Sequence, residues 1–174
     1  DFPVEGTIPA QLAFGKVCRL NLWITRAGNV EKAPAESEEK KTERPSRYLR
    51  LLARDAVLGI GCRRGTRRET IEAAAESVLA FQGLSMRDVK QIATIDLKQD
   101  ETGLLEFASS HGTKICFYSP EELLKAPGDF SDSAFVKKTT GVGNVCERAA
   151  VLAAGENASL IVKKQTGHGV TAAL

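Results

Sequence analysis

From Arg54 onward, short apolar runs alternate with longer stretches in which apolar residues recur at helical spacing. Ala56–Ile60 (AVLGI) is a continuous apolar run of strand length, which predicts a buried strand. Thr66-Arg67-Arg68-Glu69 then has the hydroxyl-to-carboxylate spacing of a capping box and opens a helix. Ile71, Ala74, Ala75, Val78 and Leu79 fall on one face of that helix, and Gly83 stops it. A strand is predicted over Gln91–Leu97, a helix over Asp100–His111 and a strand over Thr113–Tyr118. Ser119-Pro120-Glu121-Glu122 opens a short helix, with Ser as cap and Pro in its tolerated first position. A polar loop containing Pro127 and Gly128 follows. Asn144-Val145-Cys146-Glu147 repeats the cap spacing at the start of a helix that Gly155 ends, and Leu160–Val162 and Gly169–Leu174 read as closing strands joined in a hairpin. This alternation predicts an α/β fold, a three-layer sandwich with a mostly parallel (mixed) sheet flanked by helices.

The first part of the chain breaks this rhythm. Val17–Ile24 has strand character and Gly28-Asn29 a turn, whereas residues 31–47 hold no large apolar residue, two prolines and mixed charges. We therefore divide the chain into 1–30 as a remnant of a preceding central region, 31–54 as polar linker and lead-in, and 55–174 as the α/β domain. Asp at position 1 fits a fragment or processed chain.

Charge narrows the function. Lys plus Arg number 24 against 22 Asp plus Glu, a formal net charge of +2, which leaves no surplus for the continuous basic face that a nucleic-acid binder needs. No apolar run approaches the roughly 20 residues that cross a bilayer, and no secretory leader opens the sequence, so a cytoplasmic protein without membrane partners is expected. Cys18, Cys62, Cys116 and Cys146 are scattered without a C-x-x-C pair, which suggests reduced thiols rather than zinc or disulfides.

Open α/β sheets bind ligands outside the carboxyl ends of their strands, so the loops that follow strands carry the candidate chemistry. Gly59-Ile60-Gly61-Cys62-Arg63-Arg64-Gly65-Thr66 brings bare backbone and two arginines to a helix N-terminus, which suits an anionic ligand; solvated arginines on a tight turn are the plainer alternative. It is not a nucleotide motif, because Arg64 stands where a dinucleotide fingerprint needs Gly, and Thr66 where a Walker loop needs Lys. Asp96-Leu97-Lys98-Gln99-Asp100-Glu101 offers Asp96 as a general base or as the cap of the next helix. Gly141-Val142-Gly143-Asn144-Val145-Cys146-Glu147 repeats the style of the first loop. Its Cys146, on a first helical turn, reads more simply as a small buried residue than as a nucleophile. His168, between Gly167 and Gly169, is the better acid/base candidate of the two histidines, since His111 falls at a helix end.

Together, Val57–Thr66 (VLGIGCRRGT), Ala93–Lys98 (ATIDLK) with Glu101 and Gly103, and Gly141–Glu147 (GVGNVCE) closely resemble the C-terminal domain of the CbiG family. These are the cobalt-precorrin-5A hydrolases of cobalamin biosynthesis, and the domain also resembles the free-standing CobE. The likeness covers 55–174, and looser similarity at Leu22–Thr25 and Tyr48–Arg54 favours the hydrolase. The resemblance implies hydrolytic opening of the ring A δ-lactone of cobalt-precorrin-5A, with release of acetaldehyde to give cobalt-precorrin-5B. It implies no cofactor, the cobalt arriving with the substrate, and neighbouring pathway enzymes as partners. Gly61, Cys62, Arg63, Arg64, Gly65, Thr66, Lys98, Gly141, Gly143 and Asn144 become candidate substrate-binding residues. Asp96, Glu147 and His168 become candidate bases. The alternative is a carrier that binds a corrinoid intermediate without turnover.

Overall fold

The computed structural model describes residues 20–25, 47–52, 54–156 and 158–174. Two short strands, β1 (Leu20–Thr25) and β2 (Arg47–Leu52), pair in parallel, Leu20 opposite Arg47. Leu20–Ile24 of the expected first strand thus lies in β1, and the expected lead-in contributes β2. The Gly28-Asn29 turn and 31–46 of the expected linker lie outside the described residues.

The remaining elements are β3 (Ala56–Cys62), α1 (Arg68–Ala80), β4 (Val89–Ile95), α2 (Thr102–Ser110), β5 (Lys114–Tyr118), α3 (Pro120–Leu124), α4 (Ala134–Thr140), α5 (Cys146–Ala154), β6 (Gln165–Gly167) and β7 (Val170–Ala173). They build a five-stranded sheet in the order β5-β4-β3-β7-β6. β3, β4 and β5 run parallel, while β7 is antiparallel to both β3 and β6, so the sheet is mixed, as expected.

The period of two along the strands decides which layer each side chain enters. Leu58, Ile60 and Ile92 point into a core with Ile71, Val78 and Leu79 of α1 and Leu104 and Phe107 of α2. Val57, Ala93 and Ile95 point the other way, into a core with Leu123, Val142, Val145 and Ala149 on the α5 side. Each fully buried Leu or Ile stabilises this arrangement by about 1.5–3 kcal/mol. α5 lies directly on β3, because a Cβ at Gly59 would collide with the Cys146 carbonyl.

Several boundaries differ from the sequence reading. α1 has no capping box: the Thr66 hydroxyl donates to the Arg63 carbonyl at 2.7 Å, and Arg67 becomes the N-cap. The Glu69 carboxylate instead accepts from its own backbone N–H, the main cause of its lowered pKa. β4 starts and ends two residues before the expected strand; Leu97 belongs to a 3-10 turn over Asp96–Lys98 and is exposed. Ser119 does cap α3 through a complete capping box. α4 was not anticipated. The closing hairpin is β6–β7 rather than 160–162 with 169–174, and it turns through His168 and Gly169, whose φ angles are 50° and 80°. Ile161 and Val162 instead donate their N–H groups to the Leu174 carbonyl at 2.7 and 2.9 Å.

Candidate functional site

Register brings the first two loops together. Gly59 pairs with Ala93 across β3 and β4, so three residues on Cys62 stands level with Asp96 at the carboxyl edge of the sheet. The loop after Cys62 then meets the start of α2. Gly65, at φ 74°, donates its N–H to Glu101 Oε1 at 2.6 Å, and the other Glu101 oxygen pairs with Lys98 Nζ at 3.4 Å. Glu101 is only 3% exposed. A Cβ at Gly103 would collide with the Thr66 carbonyl, so α2 starts flush against this loop. Between the two helix starts lies an open depression of about 480 Å³ lined by residues 64–69, Asp100–Gly103 and Glu106.

The two arginines divide. Arg64 bonds Asp100 at 2.9 Å in an exposed pair, and that hydrogen bond holds the Asp100 carboxyl below its ordinary range. The exposed Arg63 donates its backbone N–H to the Gly169 carbonyl at 3.0 Å and lies against Gly169, but its guanidinium has no partner among the described residues. Of the two candidate arginines, only Arg63 keeps a guanidinium without a partner among the described residues. Cys62, partly buried beside Lys98 and Glu101, has its thiol pKa raised chiefly by burial, which leaves it a poor nucleophile near neutral pH.

Asp96 follows β4 directly. It does not cap α2, whose N-cap is Glu101, and its Oδ1 is buried with no hydrogen-bond partner among the described residues. An unsatisfied carboxylate oxygen at a strand's carboxyl end costs stability unless something arrives to bond it.

The third loop reaches the same edge but is closed. Gly141, at φ 78°, ends α4, and a Cβ at Gly143 would run into the Asp132 side chain. Asn144 Oδ1 accepts from Glu147 N–H at 3.1 Å, while Asn144 Nδ2 donates to Glu147 Oε2 at 2.5 Å and to the Ser131 carbonyl at 3.1 Å. Glu147 Oε1 accepts from the Lys164 N–H at 2.7 Å. Asn144 and Glu147 are each 1% exposed, with every carboxylate oxygen occupied, so neither can meet a ligand without breaking this network. Burial pushes the Cys146 thiol up to about 11. The geometry makes this loop a fastening, and Gly141, Gly143, Asn144 and Glu147 parts of it.

His168 is exposed on the hairpin turn. It lines a groove of about 690 Å³ with Ala73, Ala74 and Ser77 of α1 and Phe81 just past its end. His111 pairs with Glu72 at 3.1 Å and serves α1–α2 packing. Sequence reasoning quoted Glu101 without giving it a task. Its partner Gly65 lies 36 residues away, a separation that leaves no periodic signal.

Comparison with known proteins supplies the family context. Residues 56–174 match the family model described as "Cobalamin synthesis G C-terminus". A "Cobalt-precorrin-5A hydrolase" from Priestia megaterium is 43% identical over 64% of this chain, a match that spans 30% of the hydrolase's own length. "Protein CobE" from Sinorhizobium sp is 36% identical over 68% of this chain and 77% of that protein. Among solved structures, a CobE from the cobalamin biosynthetic pathway superposes with a TM-score of 0.63 at 34% identity, covering 67% of this chain and 86% of that one. The cobalamin biosynthesis protein chiG from Agrobacterium tumefaciens str. C58 gives 0.52 at 30% identity, covering 67% and 94%.

Proposed function

The chain belongs to the cobalamin synthesis G C-terminal family, and from that premise we propose that it serves cobalamin biosynthesis by holding a precorrin intermediate at the carboxyl edge of its sheet. The single observation that carries this reading is that, among the described residues, this edge carries both an exposed guanidinium without a partner, Arg63, and a buried carboxylate oxygen without a partner, Asp96 Oδ1. A precorrin is a flat apolar macrocycle rimmed by carboxylates. Arg63 and the helix starts of α1 and α2 supply the positive potential that such a rim requires.

The finer proposal is hydrolysis of cobalt-precorrin-5A. A water gives its proton to the Asp96 carboxylate as its oxygen bonds to the lactone carbonyl carbon. Backbone N–H groups of the loop after Cys62 stabilise the oxyanion, and the acyl C–O bond breaks to leave a ring A carboxylate and an alkoxide on the two-carbon bridge. Collapse of that alkoxide to a carbonyl breaks one C–C bond to the macrocycle, which takes the electron pair; the second C–C bond breaks with its pair kept by the bridge carbon, which takes the proton held on Asp96 and leaves as acetaldehyde, giving cobalt-precorrin-5B. Cobalt enters as part of the substrate. Among the described residues no helix is long and apolar enough to cross a membrane, and the free thiols of Cys62, Cys116 and Cys146 suit a reducing cytoplasm. The match to 77% of CobE favours a second reading, in which this domain carries the intermediate to other pathway enzymes without opening it.

One experiment separates the two. The chain is incubated with cobalt-precorrin-5A, repurified, and examined for retained pigment by absorbance and for acetaldehyde by a coupled dehydrogenase. Hydrolysis predicts acetaldehyde from the wild type and retained pigment without acetaldehyde from Asp96→Asn. Pigment without acetaldehyde from both supports the carrier, and no retained pigment from either overturns the proposal.

A further inference from the structure

Three observations converge on one side chain at the wall of the depression between the two helix starts. Glu101 is almost wholly buried, one oxygen accepts from Gly65 N–H at 2.6 Å, and the other faces Lys98 Nζ at 3.4 Å. Gly65 holds φ 74°, a left-handed conformation that the loop must keep for its neighbours to stay in place. Thr66 is seated on Gly103, where no side chain would fit, so α2 and the loop after Cys62 form one unit. That unit decides which arginine is free: Arg64 is drawn to Asp100, just before α2, and Arg63 is left exposed beside Gly169.

We infer that Glu101 is a positioning residue, a buried latch that fixes the loop through Gly65 and so presents Arg63 to a carboxylate-bearing ligand. The inference rests on the reading of this edge as an anion site. It makes a prediction opposite in sign to plain electrostatics: deleting a negative charge beside an anion site should strengthen binding, whereas losing a latch should weaken it because the loop must then be ordered by the ligand. The structure assigns Lys98 to the same latch, since its ammonium is spent on Glu101.

The test uses uroporphyrin, a flat tetrapyrrole with eight carboxylates, titrated by fluorescence quenching against the 174-residue chain and its Arg63→Ala, Glu101→Ala and Glu101→Gln variants. Arg63→Ala is expected to weaken binding by up to about fivefold, the range for one exposed ionic contact. Glu101→Ala is expected to weaken it by a similar factor. Glu101→Gln keeps an acceptor for Gly65 N–H and removes the charge, so it should bind within about twofold of wild type or more tightly. Hydrogen exchange without ligand gives an independent arm: amides 62–66 should exchange faster in Glu101→Ala than in wild type or Glu101→Gln, with α5 unchanged as the control for folding. Tighter binding by Glu101→Ala, or unchanged exchange at 62–66, would overturn the latch. Unchanged affinity in Arg63→Ala with faster exchange in Glu101→Ala would leave the latch standing and remove the anion site on which the functional reading depends.

Discussion

The loops Gly61–Thr66 and Gly141–Glu147 look like two copies of one device: glycines, a polar residue, a helix start and a carboxylate shortly after. Their folded states are opposites. In Gly61–Thr66 the carboxylate that satisfies the backbone comes from another helix, at Glu101, and the loop's own charged group, Arg63, is left facing solvent. In Gly141–Glu147 the carboxylate is the loop's own Glu147, and both its oxygens are consumed inside the protein. The lesson is that a glycine-rich helix start is left open with a free charge or closed into a fastening according to who satisfies its backbone, which is a question of burial and long-range partners rather than of motif.

If Gly141–Glu147 is a fastening, its loss should be the most damaging change of all. Glu147→Ala strands the Lys164 N–H and one of the two Asn144 amide hydrogens, the other still bonded to the Ser131 carbonyl, and is expected to cost about 3 kcal/mol, read as a fall in ΔG from urea denaturation. Glu147→Gln should recover part of that. Wild-type stability in Glu147→Ala would break the comparison outright.

The second effect is pH-dependent and sharpens the same point. Burial raises the Cys146 thiol from its ordinary 9.0 to about 11, so the folded pKa lies above the unfolded one. The stabilisation from keeping this thiol neutral is therefore complete below about pH 9 and is lost as pH rises through about 11, a change on the order of 2–3 kcal/mol. Other groups titrate in that window, so the measurement is the difference between wild type and Cys146→Ala in urea midpoint across it. Parallel pH profiles for the two proteins would mean that the thiol is not sealed.

Much of the fold could be read from the chain because its signals were local and periodic. The alternation of Val57 with Leu58 and of Ile92 with Ala93 across the sheet, and the face Ile71, Ala75, Val78, Leu79, follow directly from apolar spacing. Residues with weaker patterns were misplaced. α4 (AFVKKTT) has no buried residue, and β6 is three exposed residues that become a strand only because β7 pairs with them. Thr66 and Glu69 had capping-box spacing, but the Arg63 carbonyl and Glu69's own N–H outcompeted the reciprocal bonds. In the candidate site, Arg63 and Asp96 were legible as chemistry at strand ends. The engagement of Arg64 by Asp100, of Lys98 by Glu101 and of Glu147 by Lys164 was not, because each exposes its partner only after the chain folds or the helix winds.

The smallest expected effect concerns the exposed pair. Arg64→Ala should leave the urea midpoint unchanged within error, because both partners are solvated, and should alter tetrapyrrole affinity less than Arg63→Ala does. A larger loss from Arg64→Ala would mean that Asp100 gives up its arginine when ligand arrives.

The central claim is that one loop region binds and its look-alike only fastens, and the most direct test is a residue-resolved map of ligand contact. Uroporphyrin is titrated into the 15N-labelled chain and followed by amide chemical shifts. The account predicts the largest perturbations at Arg63, Gly65 and Asp96–Lys98, with Asn144–Glu147 silent. Perturbations centred on Asn144–Glu147, or on the α1 groove beside His168, with Arg63 and Gly65 unmoved, would contradict it.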